Sequence, residues 1–158
     1  MMKISAIGKI FVLSAMIIAG AALQSNAQTI NGSIGNGTVK RGGSVRAVLV
    51  MDIPSELHVN SNRPNSEYSI PTTITVSGTG IRLSRINFPP GKNRKFEFSD
   101  NPVNVYEGRV RFPFTVTVPA TFKGNTIRVR AVVKYQACTE EVCYPPKNKD
   151  ITLTARVL

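Results

Sequence analysis

Tryptophan is absent from this 158-residue chain, histidine occurs once and cysteine twice. A zinc cage of several Cys and His ligands is therefore excluded, as is any mechanism that needs two histidines. Acidic residues are scarce too, 9 Asp and Glu against 20 Lys and Arg, for a formal charge of +11. Aromatic residues make up only 7%. The arginines at Arg46, Arg63, Arg82, Arg85, Arg109, Arg111, Arg128 and Arg130 carry no interleaved aromatics of the kind that stack on bases, so nucleic acid is not an expected partner. Ser44 and Ser55 lie in no nucleophile-elbow motif, which leaves a hydrolase without support. Internal repeats, low-complexity tracts and helical periodicity are missing as well. What remains is a 42% hydrophobic chain long enough for one globular unit and too short for several large ones.

The N-terminal stretch reads as a targeting segment. Lys3 and Lys9 precede an uncharged apolar run over residues 10–23, and Ser25, Asn26 and Ala27 supply small residues where a signal peptidase would cut. At about 14 residues the run falls short of the roughly 20 that cross a bilayer. Residues 1–27 are thus expected to be a signal peptide, with a mature domain over 28–158 that is periplasmic or otherwise exported. No Cys follows the run, so a lipid anchor is unsupported. The 20 basic groups less Lys3 and Lys9 leave 18 against 9 acids. That excess is expected along outward strand faces, with membrane contact peripheral at most.

Hydrophobic alternation with period two predicts strands along the mature chain. Over residues 45–53, Val45, Ala47, Leu49, Met51 and Ile53 alternate with Arg46, Val48, Val50 and Asp52. The same pattern places Val110, Phe112, Phe114 and Val116 on one face over 109–117, Ile127, Val129, Ala131, Val133 and Tyr135 over 127–135, and Ile151, Leu153, Ala155 and Val157 over 151–157. Weaker candidates lie at 29–34, 57–60, 72–77 and 81–88, separated by Gly- and Pro-containing turns. Residues 35–43 read as a loop. Pro113 has no N–H for a ladder bond, so its strand is expected at a sheet edge or with a bulge. The count and spacing predict an all-β, two-layer antiparallel sandwich.

Any chemistry lies at the two cysteines. Cys138 and Cys143 enclose Thr139-Glu140-Glu141-Val142 at a connection between two strands. An exported chain with an even cysteine number is expected to pair them, and a four-residue turn permits it. As a staple the bond is weak: in the chain-entropy model a six-residue loop contributes roughly 2 kcal/mol, against about 4.7 for a 100-residue loop. The spacing is not Cys-x-x-Cys and no βαβ pattern surrounds it. Glu140 and Glu141 oppose thiolate formation, while Lys134, Lys147 and Lys149 favour it. These residues alone leave exchange and staple equally open.

Tyr135-Gln136-Ala137-Cys138 followed by Cys143-Tyr144-Pro145-Pro146 resembles the active-site segment of the N-terminal periplasmic domain of DsbD-type thiol:disulfide interchange proteins. His58-Val59-Asn60-Ser61-Asn62-Arg63-Pro64 and Tyr68-Ser69-Ile70-Pro71-Thr72 are similar to a stretch preceding a central strand in that family. The resemblance implies an immunoglobulin-like sandwich in which Cys138 and Cys143 form the redox pair, with Cys143 forming mixed disulfides. It implies as partners a membrane-embedded thiol carrier, expected here as a separate chain, and periplasmic thioredoxin-like proteins serving disulfide isomerisation and cytochrome c biogenesis. It also implies an aromatic cap loop, placed at residues 96–100 with Phe98 as the shielding side chain. The cysteine spacing is one residue shorter than in the best-known enterobacterial pattern. No cofactor or metal is expected.

Tyr135 and Tyr144 flank the cysteines and are further candidates to shield the disulfide, although aromatic residues at strand ends are commonly core or rim packing. Gln136 is placed either to hydrogen-bond near a thiol or to face water. His58 reads as a surface or hydrogen-bonded strand residue and not as a general base. Two functions stand at this point. One is an exported electron relay through Cys138 and Cys143. The other is an envelope binding or structural module of immunoglobulin-like form, with an inert local disulfide.

Overall fold

The computed structural model describes residues 28–158, so the signal segment expected at 1–27 lies outside the described residues. Twelve strands and no helix occur among the described residues: β1 (Thr29–Ile34), β2 (Thr38–Val39), β3 (Ser44–Asp52), β4 (His58–Asn60), β5 (Thr73–Ser77), β6 (Arg82–Leu83), β7 (Lys92–Arg94), β8 (Val103–Tyr106), β9 (Arg109–Thr117), β10 (Thr126–Tyr135), β11 (Ala137–Cys138) and β12 (Lys147–Val157). They form three four-stranded sheets, in the orders β1-β3-β9-β6, β2-β12-β10-β5 and β11-β4-β8-β7. All pairings are antiparallel except β2 with β12.

The first two sheets face each other as an immunoglobulin-like sandwich. Alternation dictates which side chains meet: Ala47, Leu49 and Met51 of β3 and Phe112, Phe114 and Val116 of β9 share one core with Val129, Ala131 and Val133 of β10 and Leu153 and Ala155 of β12. Each large side chain removed from water there contributes about 1.5–3 kcal/mol. Arg46, Arg111, Arg128, Arg130 and Arg156 project outward, so the excess charge lies on the solvent faces. Gly32 sets how closely β1 can approach the opposite sheet. A Cβ there would lie 2.9 Å from Leu49 Cδ2 and 3.0 Å from Leu153 Cδ2.

Pro113 is not in an edge strand or a bulge. β9 lies between β3 and β6, and nine consecutive residues pair with β3 without a break. The reason is directional. The Pro113 carbonyl accepts Asn87 N–H, and the neighbouring odd position Thr115 bonds Ser84, so these backbone groups face the β6 side. β6 has already ended at Leu83, and no ladder donor is required at 113. The strand expected over 81–88 shrinks for a related reason: Ser84 Oγ accepts Thr115 N–H at 2.8 Å and takes the place of a backbone partner. Within the loop expected at 35–43, the left-handed turns at Gly35 and Gly37 bring Thr38 and Val39 alongside β12.

The third sheet supports the cysteine segment. β7 and β8 form a hairpin whose connection, residues 95–102, folds Phe96 back onto Val103 and Val105 as a small satellite core. β4 lies between this hairpin and β11.

Candidate active site

β11 leaves the end of β10 and pairs with β4, so that Ala137 faces Val59 and Cys138 faces His58. The chain then reverses, and Cys143 returns opposite Cys138 as an antiparallel bridge. Thr139 builds the turn. Its N–H donates to the Val142 carbonyl at 2.8 Å, while its Oγ1 accepts the N–H groups of Glu141 at 3.2 Å and Val142 at 3.1 Å. Tyr144 N–H closes the hairpin on the Ala137 carbonyl at 2.8 Å. The two sulfurs are joined in a disulfide, with Cα atoms 3.9 Å apart. Cys138 is 1% exposed, whereas Cys143 is part-exposed. The bond therefore has one buried and one reachable sulfur.

Below the hairpin lies a polar floor. His58 is buried, with Nδ1 2.9 Å from Glu107 Oε1 and Nε2 2.8 Å from Glu140 Oε1. Each ring nitrogen thus faces a carboxylate oxygen. Burial alone would raise the Glu107 carboxyl, but hydrogen bonds from Arg94 and Lys92, with the charges of Arg94 and His58, outweigh it and hold the group below its usual range. The Glu107 hydrogen bond and charge in turn raise the Arg94 guanidinium. Beside the histidine, Asn60 donates to Gln136 Oε1 at 2.9 Å and to the Ile70 carbonyl at 3.2 Å. Gln136 accepts Ile70 N–H at 3.0 Å and donates to the Tyr144 carbonyl at 3.1 Å.

Cys143 lines an open cleft of about 590 Å³ together with Tyr68, Phe98 and Val142. Tyr68 is 88% and Val142 52% exposed, unusually bare for large apolar groups. Glu67, Asp100 and Glu141 line the same cleft. Phe98 stacks on Phe96 with ring centroids 5.0 Å apart, and Phe96 meets the edge of His58, also at 5.0 Å. One aromatic column thus runs from the cleft wall to the floor under Cys138. Among the described residues no group of three or more His, Cys, Asp or Glu is placed to hold a metal ion.

Of the residues selected from sequence, Cys138 and Cys143 are joined and Phe98 stands in the cleft wall with Cys143. Tyr144 lies next to Cys143, 45% exposed, and is tied to the network through its backbone. Tyr135 is buried in the main core, where burial raises its phenol; it does not line the cleft. Gln136 has its hydrogen-bonding groups engaged with protein. Sequence reasoning placed Phe96, Tyr68 and Asn60 in stretches it singled out but gave none of them a role of its own, and it missed Glu107. The Phe96-x-Phe98 spacing was a usable signal for the stacked pair, while Asn60 and Glu107 are brought in by long-range pairing of β4 and β8 and Tyr68 comes from the loop between β4 and β5.

The family described as thiol:disulfide interchange protein DsbD, N-terminal, matches residues 33–155. No curated protein matches the chain. Among solved structures, the N-terminal periplasmic domain of ScsB from Proteus mirabilis aligns over 81% of this chain and 45% of its own, with 14% identity and a TM-score of 0.51. The present chain thus spans less than half of that structure, and the likeness is one of fold. The reduced DsbD N-terminal domain of Neisseria meningitidis aligns over 70% of this chain and 80% of its own, with 19% identity and a TM-score of 0.43.

Proposed function

The chain belongs to the family of N-terminal domains of DsbD-type thiol:disulfide interchange proteins, and from that premise we propose that it is an exported electron relay working through Cys138 and Cys143. The observation that carries this reading is the asymmetry of the disulfide, with Cys138 buried and Cys143 in the wall of an open cleft. A donor thiolate attacks Cys143 Sγ, forming a mixed disulfide, and Cys138 leaves as a thiolate that takes up a proton. The donor's second thiol then displaces Cys143. The donor ends as a disulfide and the domain as a dithiol, two electrons having passed. Delivery runs the same steps outward, with the Cys143 thiolate attacking an acceptor disulfide.

The turn supports exchange over a purely structural bond. Thr139 and the backbone hold the hairpin by hydrogen bonds that do not involve sulfur, so opening the S–S bond leaves its geometry supported. As donor we assign a membrane-embedded thiol carrier, and as acceptors periplasmic thioredoxin-like proteins. Phe98 and Tyr68 shield Cys143 between encounters. The lining of the cleft also supports a particular partner chemistry. Glu67, Asp100 and Glu141 make its rim acidic on an otherwise basic domain, which suits a partner with an apolar centre and a basic margin around its reactive cysteine.

The test is the reduction potential of the pair in the domain spanning residues 28–158, by equilibration in thiol buffers with mass detection of free thiols. A value between roughly −180 and −270 mV supports a relay. A bond below about −300 mV that opens only on unfolding overturns it and leaves an envelope module with a short staple.

A further inference from the structure

We propose that the side-chain oxygen of Asn60 accepts the Cys138 thiol proton in the reduced protein, and thereby tilts the cysteine couple toward its dithiol form. The inference rests on the redox reading of the pair and adds the residue that sets its poise. Asn60 and Cys138 are each 1% exposed, and Asn60 Oδ1 lies 4.0 Å from Cys138 Sγ. The orientation of the carboxamide follows from its neighbours. Nδ2 reaches the Ile70 carbonyl at 3.2 Å, a group that only accepts, so the nitrogen must point there and the oxygen toward sulfur. Gln136 is fixed in the same way, accepting Ile70 N–H and donating to the Tyr144 carbonyl; its Oε1 therefore receives the second Asn60 proton.

In the disulfide Cys138 has no proton to give. Among the described residues the one hydrogen-bonding contact of Oδ1 is that sulfur, so the oxidised protein holds a buried acceptor facing a group that cannot donate. Such a group is costly when unpaired and favourable once paired. Reduction breaks the S–S bond, takes two electrons and two protons from the donor thiols, and puts an S–H in front of Oδ1. The hydrogen bond exists only in the product, so it favours reduction. It also keeps the proton on Cys138 and leaves the part-exposed Cys143 as the thiol that reacts.

The experiment compares wild type, Asn60→Leu and Gln136→Leu in glutathione redox buffers. Asn60→Leu is expected to lower the dithiol/disulfide equilibrium constant about three- to tenfold, a shift of roughly 15 to 30 mV toward more negative potential. Gln136→Leu breaks the tether to Ile70 and Tyr144 but keeps Oδ1, and is expected to shift the equilibrium much less. Equal shifts in both variants, or none in Asn60→Leu, overturn the assignment. Should Asn60→Leu fail to fold, the infrared S–H stretch of Cys143→Ser decides. A band lowered from that of a free thiol supports the bond, and one at the free-thiol frequency overturns it. A wild-type potential below about −300 mV would sink the relay while the sign of the Asn60→Leu shift still tested the acceptor.

Discussion

His58 Nε2 lies 2.8 Å from Oε1 of Glu140, and the same histidine is the cross-strand partner of Cys138, two residues before that glutamate. The ring thus holds the disulfide hairpin from below, while its other nitrogen holds Glu107 at 2.9 Å and Phe96 packs on its edge. Replacing His58 with Leu removes the polar contacts of its ring with Glu107 and Glu140 and frees Glu140 to solvent. Glu107 keeps Arg94 and Lys92, so no buried carboxylate is stranded. The expected loss is about 2 kcal/mol, or roughly 6–10 °C in a domain of this size. Thermal melts of the oxidised proteins measure it, and an unchanged melting temperature would remove His58 from the support of the hairpin.

How much of this was visible beforehand depends on the range of the interactions. The sandwich strands announce themselves because a strand buried on one face alternates locally, as Ile127 to Tyr135 does against Arg128, Arg130 and Lys134. The cysteine pair was visible because its closing loop is four residues long. The floor was not. His58 and Glu107 are 49 residues apart and Asn60 and Gln136 are 76 apart, and their meeting depends on β4 pairing with β8 and β11, strands too short for a periodic signal. Pro113 misled because a ladder requirement belongs to one side of a strand, and the side it faces follows from where β6 stops.

Glu107 makes stability depend on pH in the acid range. Its carboxyl is held below the ordinary carboxylate range in the folded protein. The unfolded chain therefore binds a proton more readily than the folded one as pH falls below about 4.5. Its contribution is present above that value and is lost as pH falls through the lowered folded value. Melting temperature should decline over this window, and Glu107→Gln should flatten part of the decline while lowering stability near neutrality. Melts between pH 3 and 7, on the order of one unit apart, read both effects; parallel curves for the two proteins would refute the assignment.

Phe98 lines the same cleft as Cys143, 39% exposed and stacked on Phe96, so as the proposed cap it would be removed at little structural cost. An aromatic pair of this kind is worth about 0.5–1.5 kcal/mol. Phe98→Ala should leave the fold intact, as checked by far-ultraviolet circular dichroism, and speed reduction by dithiothreitol about fivefold, the factor that 1 kcal/mol of cap closure represents. Phe96→Ala differs because Phe96 belongs to the satellite core with Val103 and Val105; it should cost about 3 kcal/mol or more. Equal reduction rates for wild type and Phe98→Ala would mean that the stacked ring does not limit access to Cys143.

The acidic rim can be tested without knowing any partner, because small thiols carry the same chemistry with a chosen charge. Cysteamine is cationic, 2-mercaptoethanol neutral and 3-mercaptopropionate anionic. Their rates of reducing Cys138–Cys143 are each divided by their rates on an uncharged small disulfide, which removes differences in intrinsic reactivity. Carboxylates at Glu67, Asp100 and Glu141 around the cleft should then favour cysteamine over 3-mercaptopropionate about tenfold at low ionic strength. The ratio should collapse as salt shortens the screening length from about 30 Å at 0.01 M to about 3 Å at 1 M. Lys95 works against the effect, but its ammonium is held by the carbonyls of Ser99 and Asp100 within its own loop. Changing Glu67, Asp100 and Glu141 together to their amides should abolish the preference without changing the rate of the neutral thiol. Equal normalised rates for all three thiols on the wild type would show that the rim selects nothing by charge, whereas no reaction with any of them would mean that the disulfide itself is inert.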